Sequence, residues 1–280
     1  MPYLPCLNTS TIRPATLVTK IEAAAAAGFR AIEPWNDDVD AHLAAGGGMR
    51  EIQALLARHA LTVPSMIAIM GFIGNEEPGR DDRLAEARRR MQQAKDLSSP
   101  FIVASPPLGQ ADLGRCGSDY AELLELGREI GVRPAMEFLG FVEQVNSIAV
   151  AREIMERSGD PTATIVIDWF HMVRGDGRDT MFQDLRALQA DQIAIVHLDD
   201  VPYRKAFSEM TDGDRVYPGD GDIPVDELFA VLGEIGYAGP VSLELFNEEL
   251  WGQDPYTVTR TGYEKSARWF SGCGANELRE

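Results

Sequence analysis

The sequence predicts a single α/β domain over residues 1–280, an eight-fold (β/α)8 barrel, and three observations carry that reading. Strand-like and helix-like stretches alternate eight times, the pattern of a parallel sheet closed on itself. The length of 280 residues is close to that of one such barrel and long for a two-layer domain. Four successive apolar runs end in metal-type side chains: Glu137 in RPAMEF, Asp168 in TIVID, His197 in IAIVH and Glu244 in PVSLE. A charged group at the end of a buried strand is expensive unless it is paired. In a barrel, successive strand ends converge on the face where chemistry is done.

Taken in order, the strands are expected at 3–8 (YLPCLN), 29–33 (FRAIE), 62–69 (TVPSMIAI), 100–104 (PFIVA), 132–138 (VRPAMEF), 163–168 (ATIVID), 193–198 (IAIVHL) and 240–245 (PVSLEL). Each is a short apolar run bounded by turn residues. Amphipathic segments follow them at 15–27, 48–59, 80–96, 118–130, 145–158, 180–189, 225–235 and 256–270. Gly28, Gly131, Gly159 and Gly236 stop four of these helices just before the next strand. The alanine run at 23–27 reads as helix, because alanine has the best helix propensity. An open doubly wound sheet would need a glycine-rich phosphate turn after its first strand, and LNTSTIRP is not one. The one long connection, 199–224, is rich in Asp, Gly and Pro and follows the strand bearing His197. A loop of that length is usually functional, and this one is expected to lie over the strand ends.

Composition narrows the function. With 26 basic and 44 acidic residues, the net charge is −18, which opposes binding to nucleic-acid phosphate or an anionic membrane. The densest basic run, Arg88-Arg89-Arg90, lies in a helix with Asp81, Asp82 and Glu86 nearby and reads as a solvated face. Three widely spaced cysteines (Cys6, Cys116, Cys273) fit a reducing compartment better than a disulfide framework. The N-terminal stretch lacks the basic-then-apolar pattern of a secretory signal, and no apolar run reaches the ~18 residues of a membrane span. A cytoplasmic protein with no nucleic-acid or membrane partner is expected.

Glu137, Asp168, His197 and Glu244 form a mixed O/N set suited to one divalent ion: Mn²⁺, Co²⁺, Zn²⁺ or Mg²⁺. His171, three residues beyond Asp168, is placed either to contact a substrate oxygen, the favoured reading, or to support Asp168 from behind. Arg215, in DRVYPGDG, can fix substrate oxygens or neutralise developing charge; the alternative is a surface pair with Asp212 or Asp214. Trp35 and Phe72, after strands two and three, either wall the site or simply pack. Two carboxylates beside one metal permit proton transfer next to a carbonyl, with Glu137 and Glu244 removing and returning the proton. The outcome is epimerisation or carbonyl migration through a cis-enediolate.

MEFLG, VIDWFH, VHLDD, DRVYPGDGDI and VSLELF, in that order and spacing, resemble the xylose-isomerase-like TIM-barrel superfamily of sugar isomerases and epimerases. Within it the likeness is to the inosose (2-keto-myo-inositol) isomerase branch of inositol catabolism. The resemblance implies metal ligands at Glu137, Asp168, His197 and Glu244, substrate contacts at His171 and Arg215, and an acid/base pair of Glu137 and Glu244. It also implies a keto-polyol or keto-sugar substrate and a homodimer. Arg204 and Arg215 follow the metal histidine at a distance unlike that in ketohexose 3-epimerases, which supports the inosose branch. The same barrel also hosts 3-dehydroshikimate dehydratases, hydroxypyruvate or ketohexose isomerases, and abasic-site endonucleases. The last need more strand-end histidines than this chain has. A barrel that binds without turnover is the remaining alternative.

Overall fold

The computed structural model describes residues 3–74 and 79–271. Its strands are β1 (Leu4–Asn8), β2 (Ala31–Glu33), β3 (Ser65–Ile69), β4 (Phe101–Ala104), β5 (Arg133–Met136), β6 (Thr164–Asp168), β7 (Ile193–Leu198) and β8 (Pro240–Leu243). They form one eight-stranded sheet in the order β2-β1-β8-β7-β6-β5-β4-β3, each pair parallel. Parallel bridges Ala31↔Thr62 and Trp35↔Ile67 join the two ends of that order, so the sheet closes as a (β/α)8 barrel. The eight strands fall where the apolar runs predict them.

The helices are α1 (Leu17–Ala27), α2 (Asn36–Ala44), α3 (Met49–Arg58), α4 (Arg80–Asp96), α5 (Leu113–Ile130), α6 (Ile148–Ser158), α7 (Trp169–Arg174), α8 (Met181–Arg186), α9 (Val225–Glu234), α10 (Glu248–Trp251) and α11 (Pro255–Phe270). Thr16, Asp112, Ser147 and Asp254 cap α1, α5, α6 and α11 by accepting a free backbone N–H of the first turn. The cap at Asp112 starts α5 five residues before the sequence pattern suggests. Gly28 ends α1 at φ 105°, a left-handed conformation that a side chain resists. Three short helices, α2, α7 and α10, were not foreseen. They sit on the C-terminal face, in loops whose apolar period is too brief to read.

Side-chain alternation divides the core. Ile67, Ala68, Val103, Ala135, Val166, Ala194 and Ile195 fill the barrel interior, with Trp35 and Phe101 at its margins. The intervening residues, such as Ile102, Met136, Ile165, Ile167 and Val196, face outward into the shell of helices. Tyr120, fully buried on α5, ties that shell to the barrel: its hydroxyl is 3.0 Å from Pro134 O and 2.9 Å from Thr164 O. Arg88, Arg89 and Arg90 meet Glu129, Glu86, Asp40 and Asp37, as the acidic surroundings of that helix suggest. Cys6 and Cys116 are buried and free, while Cys273 lies outside the described residues. No helix among the described residues is long and apolar enough to cross a membrane.

Two helix glycines should respond oppositely to alanine. A Cβ at Gly127 would lie 2.4 Å from Val132 O and 2.7 Å from Pro134 Cδ, where α5 turns into β5. Gly127→Ala should therefore cost about 1–3 kcal/mol. At Gly233 on α9 nothing lies within 4 Å, so Gly233→Ala should gain up to about 1 kcal/mol of helix propensity. Urea midpoints of the two variants against the parent check both signs.

Candidate metal centre

Register brings the polar strand ends together. Asp168 pairs directly with His197 across β6 and β7, and Asn8 with Glu33 across β1 and β2, so the members of each pair point the same way. Glu137 and Glu244 lie one residue past β5 and β8, yet their N–H groups still donate to Ala104 O (3.0 Å) and Leu198 O (3.1 Å). Their backbones are thus held by the ladder, and the carboxylates are presented rigidly at the C-terminal mouth.

The ligand atoms of Asp168, His197 and Glu244 all lie within 4.8 Å of one another, and all three side chains are buried. His197 Nδ1 faces Glu244 Oε2 at 3.2 Å and Asp168 Oδ2 at 3.6 Å. It is fully buried and has no hydrogen-bond partner of acceptable geometry. Nε2, on the other side of the ring, lies 3.1 Å from Glu33 Oε2. Glu33 therefore orients the imidazole and leaves Nδ1 turned toward two carboxylates. This donor set, one imidazole nitrogen and two carboxylates, fits a divalent cation, and the centre binds one.

Without a cation the charged groups of the centre perturb one another strongly. Burial works against a charged His197, but Glu244 and Glu33 outweigh it and hold its pKa well above the usual imidazole range. Burial pushes the Glu244 carboxyl up against the pull of His197 and Arg215. It pushes Glu137 up to about 8, with Glu244 and Asp168 adding to the rise and His197 opposing it. Asp168 stays well below the ordinary carboxylate range despite its burial, because Arg215 and His171 stand beside it.

Asp168 serves two elements at once. Its Oδ1 accepts the His171 N–H at 2.7 Å and so caps α7, while Oδ2 faces the centre. Glu137 is outside the three-residue cluster; Ser105 Oγ donates to its Oε2 at 2.9 Å. His171 is 3% exposed, lies among Phe138, Phe141 and Phe170, and keeps Nδ1 without a partner. Burial lowers its pKa to about 4 against the pull of Asp168, so the ring is neutral near pH 7.

Arg215 lies inside the site and not at the surface, 1% exposed. Its Nη1 donates to Asp199 Oδ2 (2.6 Å), Asp168 Oδ2 (2.9 Å) and Glu244 Oε2 (2.9 Å). The pair with Asp212 is also present, at 2.7 Å, whereas Asp214 takes Lys205. Phe72 packs in the core with Arg80 over its ring, while Trp35 stands at the mouth.

Sequence reasoning missed Asn8, Glu33 and Asp199, all fully buried. Asn8 Nδ2 bridges Glu33 Oε2 (3.0 Å) and Glu244 Oε1 (2.8 Å). The signal was available, since Glu33 ends an apolar run just as Glu137 and Glu244 do. The loop 199–224 does lie over the strand ends. Asp200 organises it, accepting N–H groups of Val201, Gly219, Gly221 and Ile223 at 2.8–3.0 Å. Arg174 clamps its far side through Ser208 O and Met210 O.

Wild-type protein should take up a stoichiometric divalent ion, and at a hundredfold excess over Kd this adds about 2.7 kcal/mol of stability. His197→Ala should lose the ion. Glu33→Ala should weaken its affinity by about 10- to 100-fold while Glu33→Gln, which keeps an acceptor for Nε2–H, loses less. Metal analysis and calorimetric titration of the three variants read these directly. Asp200→Asn should loosen the loop, seen as faster amide exchange over 217–223, because the amide nitrogen cannot accept those N–H groups.

Comparison with known proteins places the molecule. The family model described as Xylose isomerase-like TIM barrel matches residues 21–273. An inosose isomerase from Halalkalibacterium halodurans is 29% identical over 255 residues, covering 88% of this chain and 89% of that protein. A 3-dehydroshikimate dehydratase from Pseudomonas aeruginosa is 28% identical over 239 residues, 83% of this chain but 36% of the relative. The crystal structure of the IolI protein with a binding zinc atom superposes with a TM-score of 0.88 at 24% identity, over 97% of this chain and 98% of that one. The chain therefore belongs to the xylose isomerase-like TIM-barrel family, as a metal-dependent enzyme.

Proposed function

We propose that the enzyme moves a proton beside the carbonyl of a polyhydroxylated ketone, an inosose or a keto-sugar, and so isomerises or epimerises it through a cis-enediolate. The observation that carries this reading is a pair of buried glutamates, Glu137 and Glu244, on strands that flank Asp168 and His197. Both have carboxyl groups raised by burial, Glu137 to about 8. A carboxyl raised from its ordinary value is better matched to accepting and returning a proton than a free carboxylate.

A divalent ion held by Asp168, His197 and Glu244, with Glu137 as the candidate fourth ligand, would polarise the carbonyl and acidify the neighbouring C–H. Glu137 removes that proton through the oxygen that Ser105 does not occupy, and Glu244 returns it at the other face or the neighbouring carbon. His171, neutral and with Nδ1 unpartnered, offers a hydrogen bond to a substrate oxygen. Arg215 holds positive charge against the negative charge that develops on the substrate. The relatedness to an inosose isomerase over most of the chain supports the ketone class. The two buried free cysteines support a reducing compartment.

The second reading is dehydration of 3-dehydroshikimate. It begins with the same proton abstraction and is favoured by the dehydratase relative. Proton NMR in D₂O separates the two, with inososes, ketohexoses, hydroxypyruvate and 3-dehydroshikimate as the panel. The expected result is loss of the C–H signal beside the carbonyl that a chelator abolishes. Glu137→Gln and Glu244→Gln should each slow it by about 10²- to 10⁴-fold. Full exchange in Glu244→Gln would remove it from the acid/base pair, and an aromatic product would identify the dehydratase.

A further inference from the structure

Arg13 is an exposed residue that closes the turn after β1, at the same mouth as the metal centre. Its guanidinium carbon lies 4.9 Å from the centroid of the Trp35 ring and 5.9 Å from that of Phe246. Those rings meet edge to face at 6.1 Å. Each leads inward. Trp35 Nε1 donates to Asn8 Oδ1 at 3.3 Å, and Asn8 donates to Glu244. Phe246 also has the Arg215 guanidinium 5.4 Å from its centroid, so Arg13 shares one aromatic ring with an arginine that touches the metal carboxylates.

Among the described residues, Arg13 has no carboxylate within ion-pair distance and no hydrogen-bond acceptor for its side chain. Its neighbours differ: Lys20 takes Asp38 at 2.6 Å, and Arg215 takes Asp168, Asp199, Asp212 and Glu244. Arg133 also lies over a ring, that of Phe101, but at the start of β5 on the opposite end of the barrel; Arg13 combines this arrangement with a place at the mouth. A guanidinium held against aromatic rings spends none of its N–H donors on them, and those donors can receive a planar or tetrahedral oxyanion. A net charge of −18 would otherwise repel an anionic substrate from the mouth.

We propose that Arg13 recognises an oxyanion substituent, a carboxylate or a phosphate monoester, on the substrate whose ketone reaches the metal centre. The inference rests on the proposed function for the location of the chemistry and narrows its substrate class. A neutral inosose would leave this guanidinium without a partner, whereas a carboxylated or phosphorylated polyhydroxy ketone would engage it.

The test uses the full-length, Mn²⁺-loaded protein and two matched pairs of probes in calorimetric titration: shikimate against methyl shikimate, and fructose 1-phosphate against fructose. Wild type should prefer the anionic member of one pair by about 10- to 100-fold, as expected for charge-assisted hydrogen bonds. The responding pair tells carboxylate from phosphate. Arg13→Ala should bring that preference close to unity, and Arg13→Lys, which keeps the charge but not the fork, should retain part of it. Unchanged melting temperatures exclude a folding defect at this exposed position. No anion preference in wild type, or a preference that survives Arg13→Ala, overturns the proposal. Chelator-sensitive proton exchange on neutral ketones alongside that failure would leave the proposed function standing. An Arg13-dependent preference without any exchange supports Arg13 and removes the acid/base reading instead.

Discussion

Buried negative charge at the mouth of the barrel governs this structure. Glu33, Glu137, Asp168, Asp199 and Glu244 are all withdrawn from water within one constellation. Removing a carboxylate from water is costly, and the cost grows when like charges share the space. The fold answers with one imidazole, one guanidinium and one bridging amide, from His197, Arg215 and Asn8. These leave a surplus of negative charge, which a divalent cation can satisfy. Before a cation is bound, the same surplus holds the His197 pKa above the usual imidazole range, and it adds to the burial that raises Glu137.

That constraint reaches outward through the loops. Six of the eight strands carry an acid, an amide or a histidine at the mouth (Asn8, Glu33, Glu137, Asp168, His197 and Glu244), and the guanidinium that balances them comes from elsewhere. It enters from a long connection that turns back over the site and is tied at both sides, by Asp200 below and Arg174 beside it. Asp168 joins the systems, since one oxygen begins α7 and the other meets His197 and Arg215.

The barrel and much of its centre were legible in the sequence because they follow from a period. Apolar runs bounded by glycine marked the strands, and acidic or histidine residues at their ends stood out against them. Asp168, His197 and Glu244 emerged in this way and do converge. Glu33 ends an apolar run too, but its place is behind the imidazole, at Nε2, and only the closed barrel brings it there. Asn8 carries no charge, and only the register of β1 with β2 reveals its bridging role. For Arg215 the loop context, anchored by Pro218 and Gly219, favoured the site over a surface pair, and both sets of partners are real once the loop folds back: Asp212 and the metal carboxylates.

Asp200 gives that loop a division of labour. Its two oxygens bind amides at 201, 219, 221 and 223, drawing together both ends of the connection and leaving the stretch between as a tip. Tyr203, Phe207 and Lys205 ride on the tip, while Arg215 sits near the clamp. Tyr203, Lys205 and Phe207 bond to neither Arg215 nor the metal carboxylates, so they can be exchanged while Asp212 keeps its hold on the guanidinium. The knot at Asp200 makes the loop a cassette, through which a lineage could change the molecules it accepts while conserving the chemistry it performs.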